Sequence, residues 1–555
     1  MRARNAVVAA CLLFVACGAP QAARAPRRVT ITVIGTNDLH GHLRALPVLG
    51  GYLAILRELR AEDGAVVLLD GGDLFQGTLE SNLLEGAPVI EAYERLGYDA
   101  ATIGNHEFDY GPEGPRVTPG STEDDPRGAL KARARQARFP LLSANLRYAD
   151  GRSLDWEDVA PSVLFERGGV SIGVIGVTTE QTLRTTNAAN VRDLSVVPLA
   201  EAIVREARAL RERGAELVLV AAHAGGRCER FDDPRDLSSC DPEEEIFRVA
   251  RALPAGAVDA IVAGHTHAGV AHVVNGIPVL ESHCYGRAFG RVDLVVERGR
   301  GVVDAVVHPP RMLCEEGTGT DRGDCVPGIY EGRPVQADAR VAAVIAPALE
   351  NARTARERSL GVVLDGPVTA SYGAESALGN LFTDLMRAAR PRADVAITNG
   401  GGLRADLPAG ELTYGALYQA SPFDNQFALV RVTAGELARI LAENLASDDG
   451  FFSISGVRAE ARCEGGALRV SLVDEQGREL PADRELTVVT TDFLATSGGL
   501  GVPADRVTIE EGELVREAMA AVLRERGGRI DPGALLPPAR PRVRYEGTRP
   551  IRCRP

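Results

Sequence analysis

The chain has 555 residues, of which 45% are hydrophobic and 25% charged, and its formal net charge is −14. The length is long for one domain, and this apolar content is enough for two sizeable cores. The acidic balance argues against a nucleic-acid polymer as partner, because binding a phosphate backbone needs a basic face. An anionic small molecule can still bind where local positive charge outweighs the global balance.

The N-terminal segment predicts export. Two arginines precede an apolar stretch from Ala6 to Ala16, which is too short to span a membrane and is typical of a signal peptide. Phe14 to Cys17 resembles a bacterial lipobox with Cys17 as the acylated residue. We expect a lipoprotein-type signal peptide at residues 1–17 and a tether at 18–28. The protein would then be periplasmic or on the bacterial cell surface, with the lipid on Cys17 as its membrane anchor; ordinary cleavage would instead give a soluble exported chain.

Five apolar runs predict buried strands. They are continuously apolar rather than alternating, as expected for strands covered on both faces, and helix-like segments such as Ala200–Arg213 separate some of them. The runs are Val29–Gly35, Ala65–Leu69, Ala100–Ile103, Leu217–Ala222 and Ala257–Ala263. This pattern predicts a layered α/β domain.

Nine polar side chains stand on short turns, nearly all of which follow these runs. They lie in the motifs TNDLHGH, DGGDLFQG, GNHEFD, VAAHAG and AGHTH, and they are Asp38, His40, Asp73, Asn105, His106, Asp109, His223, His265 and His267. Such side chains at the carboxyl ends of strands gather in one crevice although they are distant in sequence. Each dipeptide alone is a weak signal, but the joint order is specific and predicts a metal cage. The sequence does not decide whether His42 lies beside the cage or faces solvent.

The ligand types fit two divalent ions better than one, with the Asp73 carboxylate bridging them. The first set is Asp38, His40, Asp73 and His267, and the second is Asp73, Asn105, His223 and His265. Paired ions polarise a phosphoryl group and generate hydroxide from bound water near neutral pH. Nitrogen and oxygen ligands without thiolate favour zinc, manganese, iron or cobalt.

His106 has a different predicted role. It precedes Asp109 by three residues, so in a helical turn the carboxylate can accept a hydrogen bond from the ring and stabilise an imidazolium. We predict that His106 stabilises phosphoryl oxygens or protonates the leaving oxygen.

Residues 29–545 resemble the calcineurin-like metallophosphoesterases, and within them the two-domain 5'-nucleotidase and UDP-sugar hydrolase family. The second half continues the resemblance with ALGNLFTDLM at 377–386, NGGGLR at 399–404, SPFDNQF at 421–427 and TTDFLATSGG at 490–499. The resemblance implies an α/β protein with an N-terminal four-layer calcineurin-like metallophosphoesterase domain and an α/β C-terminal 5'-nucleotidase substrate-binding domain.

The expected domain limits are 29–335 for the first domain, 336–360 for a linker helix, 361–547 for the second domain and 548–555 for a tail. An Ala- and Arg-rich segment from Asp338 to Arg358 predicts the linker helix. Ser359 to Gly361 is predicted to be a hinge.

The resemblance also implies substrate-binding residues in the second half. Asn399 and Arg404 would contact the phosphate, Asn425 would contact the base, and Phe423 and Phe493 would sandwich it. Independently, the NGGG turn permits backbone conformations that side chains block, and the planar fork of the following Arg404 suits a phosphate. An ordinary tight turn with a solvated arginine is the alternative.

Two departures from the family pattern bear on the substrate. The family usually carries an arginine before GNL, but no Lys or Arg occurs between Ser359 and Met386, and Tyr372 lies near the expected place. The family also tends to have an aspartate that reaches the ribose hydroxyls, and Leu500 stands in its place in TSGGLG. Phosphate hydrolysis is therefore better supported than nucleotide specificity.

Seven cysteines follow Cys17, and an oxidising compartment predicts three disulfides among them. The expected pairs are Cys228 with Cys240, Cys314 with Cys325 and Cys463 with Cys553, which leaves Cys284 buried and free.

Three functions are open. The first is an exported dimetal phosphohydrolase, 5'-nucleotidase-like, that hydrolyses phosphate esters of nucleotides or related small molecules by metal-activated water. The second is a sulfate-thiol-ester hydrolase on the same scaffold; the missing arginine favours it and the intact Asn105-His106 pair opposes it. The third is a non-catalytic, ligand-binding surface lipoprotein, which is opposed by a competent ligand at every predicted metal position.

Overall fold

The computed structural model describes residues 28–114, 116–119, 121–320, 323–497 and 499–553. The predicted signal peptide, the lipid site at Cys17 and all but the last residue of the predicted tether lie outside these ranges. Among the helices of the described ranges, none is both long and apolar enough to cross a membrane.

Two sheets pack face to face in the N-terminal half. In spatial order, the seven-stranded sheet contains Gly301–Met312, Ala288–Glu297, Arg28–Thr36, Gly64–Asp70, Ala100–Thr102, Leu141–Leu142 and Val159–Ala160. The six-stranded sheet contains Gly269–Val274, Ile277–Ser282, Ala260–Ala263, Leu217–His223, Val170–Thr178 and Ser162–Arg167. All five apolar runs are strands, as predicted; the last begins at Ala260 rather than Ala257.

Helices cover the outer face of each sheet. Their apolar sides bury one core against the first sheet and another against the second, while a third core fills the space between the sheets. The helices of this half are Leu46–Leu59, Leu79–Asn82, Ala87–Leu96, Gly128–Gln136, Thr182–Thr185, Ala188–Val191, Leu199–Glu212 and Glu245–Ala252, with 3-10 turns at Leu43–Ala45 and His106–Phe108. The order helix, sheet, sheet, helix confirms the predicted four layers. Two small sheets pair Leu146–Tyr148 with Leu194–Val196 and Ile329–Tyr330 with Arg333–Pro334.

The C-terminal half is also α/β, as predicted. Its five-stranded sheet contains Phe452–Ser455, Val395–Asn399, Glu485–Thr491, Gln426–Thr433 and Val507–Leu514, and the smaller sheets contain Gly410–Thr413, Ser359–Leu364 and Gly528–Ile530, and Ala467–Val473, Arg458–Glu464 and Val543–Arg544. Apolar side chains on both faces of the large sheet bury separate cores. The helices are Ala377–Ala389, Tyr414–Ala420, Ala434–Leu445, Asp492–Thr496, Val515–Arg526 and Pro532–Leu535, with 3-10 turns at Gly400–Gly402 and Ala504–Arg506.

A helix from Ala339 to Glu357 joins the two halves, close to the predicted linker helix. Asp338 caps its first turn by accepting a hydrogen bond from the backbone N–H of Arg340. Ser359 begins a strand that runs to Leu364, so the predicted hinge coincides with the start of a strand and stays a prediction. Its first four residues alternate between exposed and buried, which is the period of a strand with one face on a core. The domain limits themselves stay predictions.

The three predicted disulfides are present. They join Cys228 to Cys240, Cys314 to Cys325 and Cys463 to Cys553. Cys284 is buried and is the free cysteine of the described ranges, as expected.

Candidate dimetal centre

The predicted ligands meet at one edge of the stacked sheets. The strands ending at Thr36, Asp70 and Thr102 run parallel in one sheet, and those ending at His223 and Ala263 run parallel in the other. Each predicted ligand is at the carboxyl end of one of these strands or within four residues after it. The sheet topology therefore brings the five motifs to one place, as the sequence predicts.

The first ligand set is compact. Asp38 Oδ1 lies 3.2 Å from His267 Nε2, and the two Nε2 atoms of His40 and His267 are 3.1 Å apart. Asp73 Oδ2 completes the set at 3.6 Å from His40 Nε2.

The second ligand set surrounds His223. Its Nε2 atom lies 3.2 Å from Asp73 Oδ2, 2.9 Å from Asn105 Oδ1 and 3.2 Å from His265 Nδ1. One oxygen of Asp73 therefore faces a ring nitrogen of each set, which is the position that a bridging carboxylate needs.

The donor atoms fit cations. Asp38 Oδ2 accepts hydrogen bonds from Asn37 Nδ2 at 2.7 Å and from the backbone N–H of His265 at 2.8 Å. Asp38 Oδ1 is buried, and its polar neighbour is His267 Nε2 at 3.2 Å, which makes no hydrogen bond of good geometry with it. A buried carboxylate oxygen without a good hydrogen bond is costly, and a metal ion beside it would satisfy it.

Backbone carbonyls orient the ligand side chains. His40 Nδ1 donates to Gln76 O at 2.7 Å, and His223 Nδ1 donates to Gly71 O at 2.8 Å, so that both Nε2 atoms face the cage. Such partners fix the ring orientation and tautomer of metal-binding histidines. The Asn105 amide donates to Thr185 O at 3.1 Å, which turns its Oδ1 toward His223.

The backbone of the cage is strained. Five of the seven predicted ligands have left-handed φ angles: Asp38 at 50°, His40 at 50°, Asp73 at 58°, His265 at 88° and His267 at 58°. Residues other than glycine rarely adopt this conformation, and it clusters at functional sites. The neighbouring Gly104 is required for another reason, because a Cβ there would lie 2.2 Å from Asp73 Oδ1.

Glu107 is a site residue to which the sequence analysis assigned no role. Its buried carboxylate accepts from the backbone N–H groups of Asp73, Leu74 and Gly104, at 2.9, 2.7 and 2.6 Å. It thereby ties the loop of Asp73 to the loop of Asn105. The signal was present in the GNHE motif, but the sequence does not say which distant loop a buried glutamate reaches.

His106 and Asp109 form the predicted pair. His106 Nδ1 donates to Asp109 Oδ2 at 2.5 Å within a 3-10 turn. Burial lowers the pKa of His106, but Asp109 and Asp73 outweigh it and raise the pKa above its usual value. The ring also lies close enough to His40 and Asp73 to share an ion with them, so its role outside the metal shell stays a prediction.

Burial has a different effect on the ligand histidines. Burial and the nearby His223 lower the pKa of His265 to about 3. Burial and the nearby Arg404 hold the pKa of His40 well below its usual range. Both shifts favour the neutral ring, which is the form of histidine that binds a metal ion. Burial also opposes a charge on His223, but Asp73 raises its pKa to about 10, so a cation binding there displaces a proton.

Arg404 of the C-terminal half reaches the cage. Its Nη2 donates to His40 Nε2 at 3.1 Å, and its guanidinium lies 5.8 Å above the centre of the Phe423 ring. The loops of the two halves meet beside it, where the Gln76 amide donates to Pro422 O at 3.2 Å. The alternative of a solvated arginine is therefore wrong.

The glycine turn before Arg404 has a different explanation from the expected one. Gly400 to Gly402 form a 3-10 turn with φ angles outside the left-handed region. A Cβ at Gly400 would lie 2.3 Å from Tyr372 O, so close approach rather than unusual φ requires glycine there. Asn399 ends the strand that leads into this turn.

The residues predicted to hold the base lie in different surroundings. The Phe423 ring is 5.6 Å from the His106 ring, beside the cage. Phe493 lies on the helix Asp492–Thr496 and packs against the apolar core of its own half. The backbone carbonyl of Asn425 accepts from Val515 N at 2.9 Å. Their roles in base binding stay predictions.

Tyr285 is a second site residue that the sequence analysis missed. Its ring lies 5.6 Å from His40 and 5.4 Å from His267, and its φ is 61°. His42, which the sequence left open, stacks on Tyr285 at 4.5 Å. The site thus has an aromatic wall on the side of the first ligand set.

The two positions at which the sequence departs from the family pattern differ in their exposure to solvent. Tyr372 is 60% exposed, and Leu500 is only 3% exposed because it packs in an apolar core. Leu500 therefore lies in apolar surroundings.

Two family models match the chain: calcineurin-like phosphoesterase at residues 31–269 and 5'-nucleotidase, C-terminal domain, at residues 353–504. The chain is similar to Protein UshA of Yersinia enterocolitica, at 28% identity over 85% of this chain and 86% of the relative. The 5'-nucleotidase precursor from Thermus thermophilus has a similar fold, with a TM-score of 0.69 and 23% identity over 90% of this chain and 97% of that one. The sulfate thiohydrolase SoxB from Thermus thermophilus also has this fold, with a TM-score of 0.68 and 16% identity over 94% of this chain and 98% of that one.

Proposed function

Since this chain belongs to the family that joins a calcineurin-like phosphoesterase domain to a 5'-nucleotidase C-terminal domain, and is a metal-dependent phosphoric ester hydrolase, we propose that it hydrolyses phosphate esters of nucleotides or related small molecules outside the cytoplasm. The approach of the Arg404 guanidinium to within 3.1 Å of the predicted ligand His40 carries the proposal. It supports a site in which one half supplies the metal ligands and the other half supplies the phosphate clamp.

Two divalent ions, drawn from zinc, manganese, iron and cobalt, fit the donor atoms. One would be held by Asp38, His40, Asp73 and His267, and the other by Asp73, Asn105, His223 and His265. When bound, such ions supply Lewis-acid polarisation of a phosphoryl oxygen and a water of lowered pKa.

The chain's own side chains bind the phosphate and manage its proton. Arg404 presents a planar pair of N–H donors, which suits two phosphate oxygens. The Nδ1–H of His106 is held by Asp109, so its Nε2–H is the proton available to the leaving oxygen. Phe423 stacks beside His106 and limits the access of water to the site on that side.

Export is supported by the three disulfides, because such bonds persist in oxidising compartments. We therefore place the mature chain in the periplasm or on the cell surface. The lipid anchor at Cys17 is part of this proposal.

The test is a phosphate-release assay on the purified mature chain with added manganese, zinc or cobalt. The substrates are AMP, ATP, UDP-glucose, a cyclic dinucleotide, and aryl phosphate mono- and diesters. We expect chelator-sensitive phosphate release from at least one nucleotide. Absence of release from every substrate with every metal would overturn the proposal.

A matched pair of variants tests the clamp. Arg404→Ala removes a charged donor, and such hydrogen bonds contribute about 1.5–3 kcal/mol, so kcat/KM should fall roughly 10- to 100-fold. Arg392→Ala removes the same charge from an exposed position of the same half and should have little effect. Equal losses in the two variants would remove the role of Arg404.

A sulfate-thiol-ester hydrolase is the second candidate. It is favoured by Tyr372, an exposed neutral side chain near the place where the family carries a second cationic clamp. A cysteine S-sulfonate peptide added to the same assay tests it, with sulfate release as the readout. Release of sulfate without release of phosphate would favour this candidate.

A further inference from the structure

A short segment around Thr186, which is distant in sequence from the predicted general acid His106, contacts the partner of that acid. Thr186 follows the one-turn helix Thr182–Thr185, and it is only 1% exposed. Its Oγ1 donates to Asp109 Oδ1 at 2.8 Å. The sequence separation is 77 residues, so this contact is a product of the fold rather than of a local turn.

The two oxygens of Asp109 have different partners. Oδ1 accepts from Thr186, and Oδ2 accepts from His106 Nδ1 at 2.5 Å. A carboxylate held at one oxygen only can rotate about its Cβ–Cγ bond, and the ring that donates to it follows. With both oxygens held, the plane of the carboxylate and the direction of the His106 ring are fixed.

We propose that Thr186 is a positioning residue that aligns His106 through Asp109, so that a hydroxyl, a carboxylate and an imidazole act in series. The inference rests on the proposed phosphate hydrolysis and on proton donation by His106. It adds a third member to the pair of His106 and Asp109, both of which lie in the GNHEFD motif.

The same segment is anchored on both sides. The Thr185 carbonyl accepts from the Asn105 amide at 3.1 Å, and the Asn187 side chain accepts from the backbone N–H of Ala189 at 3.0 Å. Thr186 lies between these two anchors, so its hydroxyl is held where Asp109 needs it. This placement argues against a hydroxyl that merely fills a gap.

The test compares Thr186→Val with Thr186→Ser. Valine keeps the shape and removes the donor, so kcat for AMP, whose leaving oxygen is a poor leaving group, should fall about tenfold, a part of the roughly 10²–10⁴-fold that a general acid contributes. An aryl phosphate with a nitrophenyl leaving group needs little protonation, so its kcat should change much less. Serine restores the donor and should recover most of kcat for AMP, with KM and metal content unchanged in both variants.

Thr182→Val is the matched control. Thr182 is equally buried and hydrogen-bonds to Thr178 at 2.8 Å, so the substitution costs similar stability without touching Asp109. We expect it to leave the ratio of AMP to aryl phosphate turnover unchanged. An equal loss for both substrates in Thr186→Val, or a loss of bound metal, would overturn the positioning role.

A second readout does not depend on activity. The proton shared by His106 Nδ1 and Asp109 should give a far-downfield NMR signal that His106→Ala removes. We expect this signal in the wild type and in Thr186→Ser, and its loss or shift in Thr186→Val. An unchanged signal in Thr186→Val would overturn the inference, whether or not the enzyme has phosphatase activity. An altered signal in a chain that has no phosphatase activity would overturn only the proposed function.

Discussion

Replacement of Asp73 by alanine tests whether one carboxylate serves two ions. Asp73 Oδ2 lies 3.6 Å from His40 Nε2 and 3.2 Å from His223 Nε2, so it faces both ligand sets. Without this carboxylate, each set falls from four predicted side-chain ligands to three. We expect Asp73→Ala to lose both ions and nearly all activity.

The size of the effect follows from the position of the carboxylate. Loss of a partner that only orients a ligand weakens metal binding about 10- to 100-fold. Asp73 is a predicted ligand of both ions, so at least this factor applies at each site. Its other oxygen accepts from His106 N at 2.9 Å, so the variant also frees the turn that carries His106.

The assay is metal content per chain by elemental analysis after dialysis against a metal-buffered solution. His267→Ala and His265→Ala are the controls, because each residue belongs to one set only. The wild type should bind two ions, each control one, and Asp73→Ala close to none. Retention of one tightly bound ion by Asp73→Ala, or a single ion in the wild type, would refute the bridging carboxylate.

Three further results are expected. His106→Ala should lower kcat roughly 10²–10⁴-fold with metal content intact, and Asp109→Asn should show a smaller loss; a loss of metal would instead make His106 a ligand. AMP and dAMP should have similar kcat/KM, because Leu500 is buried in a core and supplies no acceptor to the ribose. A preference for AMP of about tenfold or more would contradict this, since a hydrogen bond to a charged group contributes about 1.5–3 kcal/mol. Cys553→Ser, which removes the Cys463–Cys553 disulfide, should destabilise the C-terminal half by about 4–5 kcal/mol, because the disulfide closes a loop of 90 residues. An unchanged midpoint of unfolding would count against this expectation.

The convergence of the predicted metal ligands could be foreseen from sequence because two simple rules apply to it. A continuously apolar run such as Leu217–Ala222 indicates a strand covered on both faces, and the carboxyl ends of parallel strands meet. His223 and His265 were therefore expected together although 42 residues separate them. Ligand chemistry then assigned the sets, and the distances around His223 agree with that assignment.

The partners that orient the ligands could not be predicted in the same way. Glu107 reaches the backbone of Asp73, and Thr186 reaches Asp109, through loops whose relative positions depend on packing of the whole domain. A buried threonine has no periodicity or spacing that marks it as functional. The same limit applies to Arg404, whose contact with His40 depends on how the two halves dock.

The backbone of the cage shows why its ligands cannot be read from local propensity. Asp38 and His40 adopt left-handed φ angles, and strain of this kind costs of order 1–3 kcal/mol per residue. With five such ligands, the total is comparable with the net stability of a domain. The strain persists because neighbouring backbone holds it: the N–H of Asp38 donates to Gly72 O at 2.9 Å, and that of His40 to Asp73 O at 3.0 Å. The two loops thus hold each other through backbone hydrogen bonds, and these bonds help to offset the strain at residues whose side chains converge.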